Sequence, residues 1–247
     1  MYLLLNMDQD FHQNKLMSNM YNYRNKVIEK GKLLIDQGVE LLDLNRIDIR
    51  GELKCGKNVI IDINCIFIGN VFLSDNVKIS SNCIINNSSI ARGTNIRDFS
   101  IIENTEVGKD CNIGPYARLR ANNILKNNVQ IGNYVEVKNS NIGSHSKISH
   151  MSFIGDSKIG SNVTIGAGTI TCNHDGANIN KTIIDSNAYI GSGTRLIAPL
   201  KIGKYSTIGS GSIITKDVAN FKLAIARSKD QIEIDNWERP NPKNNNS

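Results

Sequence analysis

Ile184-Asp185-Ser186-Asn187-Ala188-Tyr189-Ile190-Gly191-Ser192-Gly193-Thr194-Arg195-Leu196-Ile197-Ala198-Pro199-Leu200-Lys201-Ile202-Gly203-Lys204-Tyr205-Ser206-Thr207-Ile208 is the stretch that decides the fold. An aliphatic residue returns at every sixth position: Ile184, Ile190, Leu196, Ile202 and Ile208, and then Ile214. Four residues after it stands a small or β-branched side chain, as at Ala188, Thr194 and Ser206, and Gly often follows it directly. Six matches neither the 3.6-residue period of a helix nor the two-residue alternation of a half-buried strand. It matches a coil with three flat faces, in which roughly 18 residues complete a turn and each turn stacks on the last at about 4.8 Å. The aliphatic points inward, and Gly or Asn supplies the unusual dihedrals of the corners. Turns of an antiparallel sandwich would not recur every six residues.

The same spacing extends back through most of the chain. Ile61, Phe67, Leu73, Ile79 and Ile85 form one run; Ile90, Ile96 and Ile102 the next; then Val107, Ile113 and Leu119. It resumes at Ile131 and Val137, continues through Ile142, Ile148 and Ile154, and then through Ile159 and Ile165. Two segments, Arg120 to Gln130 and Thr171 to Thr182, read as too long for a corner. In a solenoid such segments leave the prism as loops and often carry the binding surface.

Composition excludes several classes. The chain has 247 residues, of which 40% are hydrophobic, enough to bury a core. Only 6% are aromatic, so aliphatics must fill it. The net charge of +6 is scattered, and it suits an anionic small molecule as well as nucleic acid. No apolar run approaches the roughly 18–20 residues that cross a bilayer. Tyr2-Leu3-Leu4-Leu5 is too short and lacks the basic flank of a signal peptide. Five scattered cysteines without a CxxC pair read as reduced thiols, and the expected compartment is the cytoplasm. Residues 14–42 show helical spacing, with Val27, Leu34 and Leu41 on one face. They predict one or two helices capping the solenoid. The expected division is a helical cap over 1–50, a β-helix over 51–218 and a partly disordered arm over 219–247, with Trp237 as an apolar anchor.

The repeats look like those of left-handed β-helix acyltransferases; the hand comes from the resemblance, not from the period. The likeness narrows with Gly114-Pro115-Tyr116-Ala117-Arg118-Leu119-Arg120, Gly132-Asn133-Tyr134-Val135-Glu136-Val137-Lys138 and Ile165-Gly166-Ala167-Gly168-Thr169-Ile170-Thr171-Cys172-Asn173, followed by Asp175-Gly176-Ala177-Asn178. These resemble the acetyltransferase half of bacterial N-acetylglucosamine-1-phosphate uridyltransferase/glucosamine-1-phosphate N-acetyltransferases. Asp48-Ile49-Arg50-Gly51 resembles that family's entry into the β-helix. Nothing in residues 1–60 resembles its nucleotide loop, so uridyl transfer is not expected.

The resemblance implies roles. His150 matches the catalytic base, and a neutral imidazole suits removal of a proton from an attacking amine. Read alone, a single His at a corner is a solvated surface residue. Arg120 and Lys138 match positions that hold a sugar phosphate, one as a bidentate fork and one as a point charge. Asn173 matches an active-site Asn that can meet either the acyl region or the sugar. Ala167, His174, Ser192, Ser210 and Arg227 match positions lining acetyl-CoA, with Ser210 where the family usually has Ala and His174 where it often has Tyr. On the sugar side Phe153 stands for a Tyr, Thr164 for an Asn and Ile179 for a Lys; Lys181 lies two residues on.

The implied protein is an acetyl-CoA-dependent N-acetyltransferase acting on an amino-sugar phosphate, first of all glucosamine 1-phosphate. It needs no metal, nucleic acid or membrane, and a homotrimer with intersubunit sites is expected. Two alternatives are an acetyltransferase for another amino sugar and a non-catalytic trimer. A zinc carbonic anhydrase of similar fold would need three His. His145 and His150 have the spacing of two, but no His lies between His12 and His145.

Overall fold

The computed structural model describes residues 20–227; the expectations for the rest of the N-terminal segment, for residues 228–247 and for Trp237 lie outside the described residues. From about residue 40 onward the chain is a parallel β-solenoid of about ten turns. Three columns of short strands form its faces. On the first, Ile61, Ile79, Ile96, Ile113, Ile131, Ile148, Ile165, Ile190 and Ile208 lie in register, one above another. All are at least 98% buried. Successive members are 17 or 18 residues apart in sequence, and 25 apart between Ile165 and Ile190. The second face stacks Phe67, Ile85, Ile102, Leu119, Val137 and Ile154, and the third Leu73, Ile90, Val107, Leu125, Ile142, Ile159, Ile184 and Ile202. Each buried aliphatic contributes roughly 1.5–3 kcal/mol. The six-residue period is therefore the packing of one wall residue per face.

The corners explain the Asn content. Asn58, Asn76, Asn128, Asn162 and Asn187 occupy one corner with φ between 55° and 63°, the left-handed region that Asn tolerates better than most residues. Beside another corner runs a buried polar ladder of Ser88, Thr105, Asn123, Ser140, Ser157 and Thr182. Its side chains bridge adjacent coils, as where Ser140 N–H donates to Asn123 Oδ1 at 3.0 Å and Ser157 N–H to Ser140 Oγ at 2.9 Å. Cys65, Cys83 and Cys111 are free, buried thiols, and burial pushes Cys83 up to about 12.

Two expectations change. Arg120 to Gln130 does not leave the prism. Asn123–Leu125 is a strand of the third face, paired with Thr105–Val107 and Asn141–Ile142. The period was intact there, because Leu125 lies six residues from both Leu119 and Ile131. The extra residue is taken up at the corner, where Ala121 and Asn122 both have positive φ. Asn123 is 99% buried, and its amide donates to Thr105 Oγ1, Arg120 O and Val137 O. The second segment does leave the prism, as a loop over 173–181 closed by a bridge between His174 and Ile179.

The helix also ends sooner than its spacing suggests. Residues 20–36 are helical, and Gly38 at φ 89° turns the chain into a strand at Glu40–Leu41. Leu41 is thus a rung partner of Ile61, not a helix residue. Val27 and Leu34 are buried against the first coil, as expected of a cap. Arg24 fastens it, donating to Ile47 O at 2.7 Å and Leu44 O at 3.0 Å. Among the described residues no helix is long and apolar enough to cross a membrane.

Candidate active site

The corner that closes the first face carries the most informative column. His150 ends the strand Lys147–His150, whose neighbour is Gln130–Asn133, and Asn133 is the register partner of His150. The exposed His150 ring has Nδ1 2.5 Å from Asn133 Oδ1. A carbonyl oxygen accepts, so Nδ1 donates, and the neutral tautomer compatible with this contact has its lone pair on Nε2. The contact fixes the orientation of the imidazole. Arg97, Gly114, Pro115, Gln130 and Gly132 line the depression beside it.

Above His150 the same corner repeats with a regular hydrogen-bond pattern. Met151 N–H donates to Asn133 O at 3.0 Å, Gly168 N–H to His150 O at 3.3 Å, Gly193 N–H to Ala167 O at 2.7 Å and Gly211 N–H to Ser192 O at 2.8 Å. Arg227 Nη1 donates to Ser210 O at 2.8 Å. His150, Ala167, Ser192, Ser210 and Arg227 therefore stack on one edge, coil upon coil. The N–H groups of Ala167, Ser192 and Ser210 make no hydrogen bond within the described residues.

The left-handed residue of this corner changes along the column. Up to the His150 coil it is Asn64, Asn82, then Phe99, Tyr116 and Tyr134, whose rings stack at 4.9 Å and 5.3 Å, and in that coil Met151. Above His150 it is Gly168, Gly193 and Gly211, at φ 72° to 74°. A Cβ on Gly168 would come no closer than 3.7 Å to any other atom. Crowding does not require glycine there; the left-handed φ favours it, although Tyr116 and Tyr134 take φ 54° and 55° at the same corner lower down. The three glycines carry no side chain beside Ala167, Ser192 and Ser210, and the Arg195 guanidinium lies against two of them, donating to Gly168 O at 2.9 Å and Gly193 O at 3.0 Å.

The second face gathers the cations. Arg120 and Lys138 are register partners on adjacent strands, with Gly155 next to Lys138. Arg120 Nη1 lies 2.9 Å from Glu136 Oε1, a half-exposed pair worth at most about 1 kcal/mol. Lys138 has no carboxylate partner among the described residues. Phe153, half-buried, sits between Glu136 and Ile170. A Cβ on Gly155 would lie 2.7 Å from the Phe153 ring and 2.9 Å from Asn173 Nδ2. Glycine at 155 is thus what lets the ring and the amide close over this end of the face.

Other expected site residues stand apart. Thr164 is on the first face, in register with Lys147 rather than His150. Ile179 is 58% exposed on the projecting loop. His174 opens that loop, its Nδ1 accepting from Gly176 N–H at 3.2 Å. Asp175 pins the turn: the N–H groups of Asn178 and Ala177 and the Asn180 amide hold its carboxyl far below the usual range. The structure thus brings Arg120, Lys138, Phe153 and Asn173 together on one face and His150, Ala167, Ser192, Ser210 and Arg227 on one edge. The sequence reading missed Asn133, Glu136, Gly155 and Asp156. Asn133 and Glu136 lie inside the Gly132–Lys138 motif, but only the register aligns them with His150 and Arg120.

Fold and edge define a class, the left-handed parallel β-helix built from hexapeptide repeats. Residues 49–154 match the family model described as the GMPPB C-terminal domain. Two solved UDP-N-acetylglucosamine acyltransferases share the fold: that of Francisella novicida, with a TM-score of 0.51, 18% identity and coverage of 73% of this chain and 65% of the other, and LpxA of Bacteroides fragilis, with a TM-score of 0.51, 22% identity and coverage of 72% and 68%. The particular likeness is to the bifunctional proteins GlmU. That of Janthinobacterium sp. (strain Marseille) is 53% identical over 207 residues, 84% of this chain and 46% of the relative. That of Chromobacterium violaceum is 50% identical over 214 residues, 87% and 47%. The chain spans about half the length of these curated relatives, and it matches their C-terminal, acetyltransferase half.

Proposed function

We propose that the chain transfers an acetyl group from acetyl-CoA to the amine of an amino-sugar phosphate, glucosamine 1-phosphate being the first choice. The observation that carries this is the edge above His150: an imidazole held by Asn133, continued by a corner of three glycines and bordered by N–H groups unpaired among the described residues. A pantetheine arm fits such an edge, because its amides find backbone donors and its thioester ends beside the base. Ser210 in place of Ala is no obstacle to contacts of that kind. The identity with GlmU proteins supports the same reading.

In the proposed reaction His150 Nε2 takes a proton from the sugar amine as its nitrogen attacks the thioester carbonyl. The C–N bond forms, negative charge passes to the oxygen, and a nearby backbone N–H such as that of Ala167 stabilises it. The intermediate collapses with cleavage of the C–S bond, and the thiolate regains a proton, giving CoA and the N-acetyl sugar. Arg120 and Lys138 would hold the phosphate, with Glu136 fixing the guanidinium. Phe153, Thr164, Asn173 and, from the loop, Ile179 or Lys181 would meet the sugar, while His174 and Arg227 would flank the co-substrate. The projecting loop supports a homotrimer in which each site is completed by a neighbour.

A second amino sugar is the competing reading, favoured by Phe153, Thr164 and Ile179, which offer fewer polar atoms than the family's residues. Acetyl-CoA consumption against a panel of amino-sugar phosphates and nucleotide-linked amino sugars tests both. Turnover with glucosamine 1-phosphate above all others is the expected result. No turnover with any of them would sink the proposal.

A further inference from the structure

Asp156 is 95% buried at a corner of the solenoid, with φ 49°. Its carboxylate has no cation within ion-pair distance among the described residues. Instead Asn139 Nδ2 donates to Oδ1 at 2.6 Å, and Asn173 Nδ2 donates to Oδ2 at 2.5 Å. A buried charge is tolerated only when its lone pairs are satisfied, and these two amides do that.

An ionised carboxylate can only accept. Asn173 must therefore turn its nitrogen toward Asp156, which leaves Oδ1 as the free end of its amide. That oxygen makes no hydrogen bond within the described residues. Asn173 O meanwhile accepts from Asn180 N–H at 2.7 Å, which anchors the start of the projecting loop.

We propose that Asp156 is a positioning residue: it fixes the Asn173 amide so that the site sees a hydrogen-bond acceptor, and so selects a substrate that brings an N–H or O–H donor to that point. This rests on the proposed acetyl transfer, in which the sugar amine or a neighbouring hydroxyl is that donor. A free Asn amide would offer donor and acceptor equally; a clamped one does not.

The test is a reciprocal exchange. In Asn173→Asp two carboxylates face each other, and acetyl transfer to glucosamine 1-phosphate should fall at least about tenfold, with a thermal midpoint lowered by about 5 °C or more. In the double variant, Asp156→Asn with Asn173→Asp, every group is again satisfied. The amide now at position 156 accepts from Asn139 through its oxygen and donates through its nitrogen to the carboxylate now at position 173, and an acceptor oxygen there stays free. Rate and midpoint should both recover most of the loss. No recovery of either quantity would overturn the proposal. So would recovery of the midpoint without the rate, which marks a purely structural contact. A wild type that acetylates no amino sugar would sink the proposed function, and the midpoints would then decide this inference by themselves.

Discussion

His150 and Asn133 are one unit. Replacing the imidazole with a methyl group removes the base but leaves an exposed position, so His150→Ala should slow acetyl transfer at least about a hundredfold while the thermal midpoint stays put. A mutant that keeps most of its activity would refute the assignment. Asn133→Ala leaves the ring but frees it to rotate and to exchange tautomers. Losing that one hydrogen bond, about 1.4 kcal/mol, should lower kcat roughly tenfold with little change in either KM. Steady-state kinetics on the two variants separates base from holder. None of this pairing could be read from the chain: Asn133 and His150 are 17 residues apart, and only the coil length brings them side by side.

At the scale of the coil and its corner, the aliphatic wall and the glycine edge behave differently. Leu125 is 98% buried between Val107 and Ile142. Leu125→Ala should reduce unfolding free energy by about 2–5 kcal/mol, measured by denaturant titration, since a rigid prism collapses poorly around a cavity. Gly168→Asn tests the opposite case. Asn takes the left-handed backbone at this same corner in Asn64 and Asn82, and a Cβ has room. Stability should change by less than about 1 kcal/mol, while KM for acetyl-CoA should rise several-fold as the side chain fills the glycine corner. An unchanged KM would mean that the co-substrate runs elsewhere. The hexad phase was legible along almost the whole chain, including the coil through Leu125. Missed there was Leu125 itself, the inward residue that keeps the six-residue phase from Leu119 to Ile131.

For the whole molecule two outcomes are expected. Sedimentation should give three times the chain mass, because in the proposed trimer the projecting loop of one subunit completes the site of its neighbour. An active monomer would contradict that. The substitutions on the sugar side should leave acetyl-CoA affinity ordinary and raise KM for glucosamine 1-phosphate. Phe153→Tyr, Thr164→Asn and Ile179→Lys together should raise kcat/KM for that sugar about tenfold, the effect of about 1.4 kcal/mol. Thr164 makes this a demanding test: it stands in register with Lys147, at the far end of the strand from His150, so its contribution depends on how a substrate spans the face.

The chain alone dictated the solenoid, since a six-residue aliphatic period has one packing solution and every wall residue announces itself by type. It also dictated the corners, through Asn and Gly, and its three motifs offered the candidate site residues through their resemblance to a known family. It could not show which of those residues meet. Coil length, 17 residues here and 18 or 25 elsewhere, sets which side chains stack, and that length is the sum of small corner adjustments that carry no strong signal of their own. Tertiary structure therefore decided that His150 rests on Asn133, that Ala167, Ser192 and Ser210 continue its edge past three glycines, and that Asp156, from the coil below, holds the amide of Asn173. Register between distant segments, not local sequence, placed a carboxylate where only an amide nitrogen could meet it.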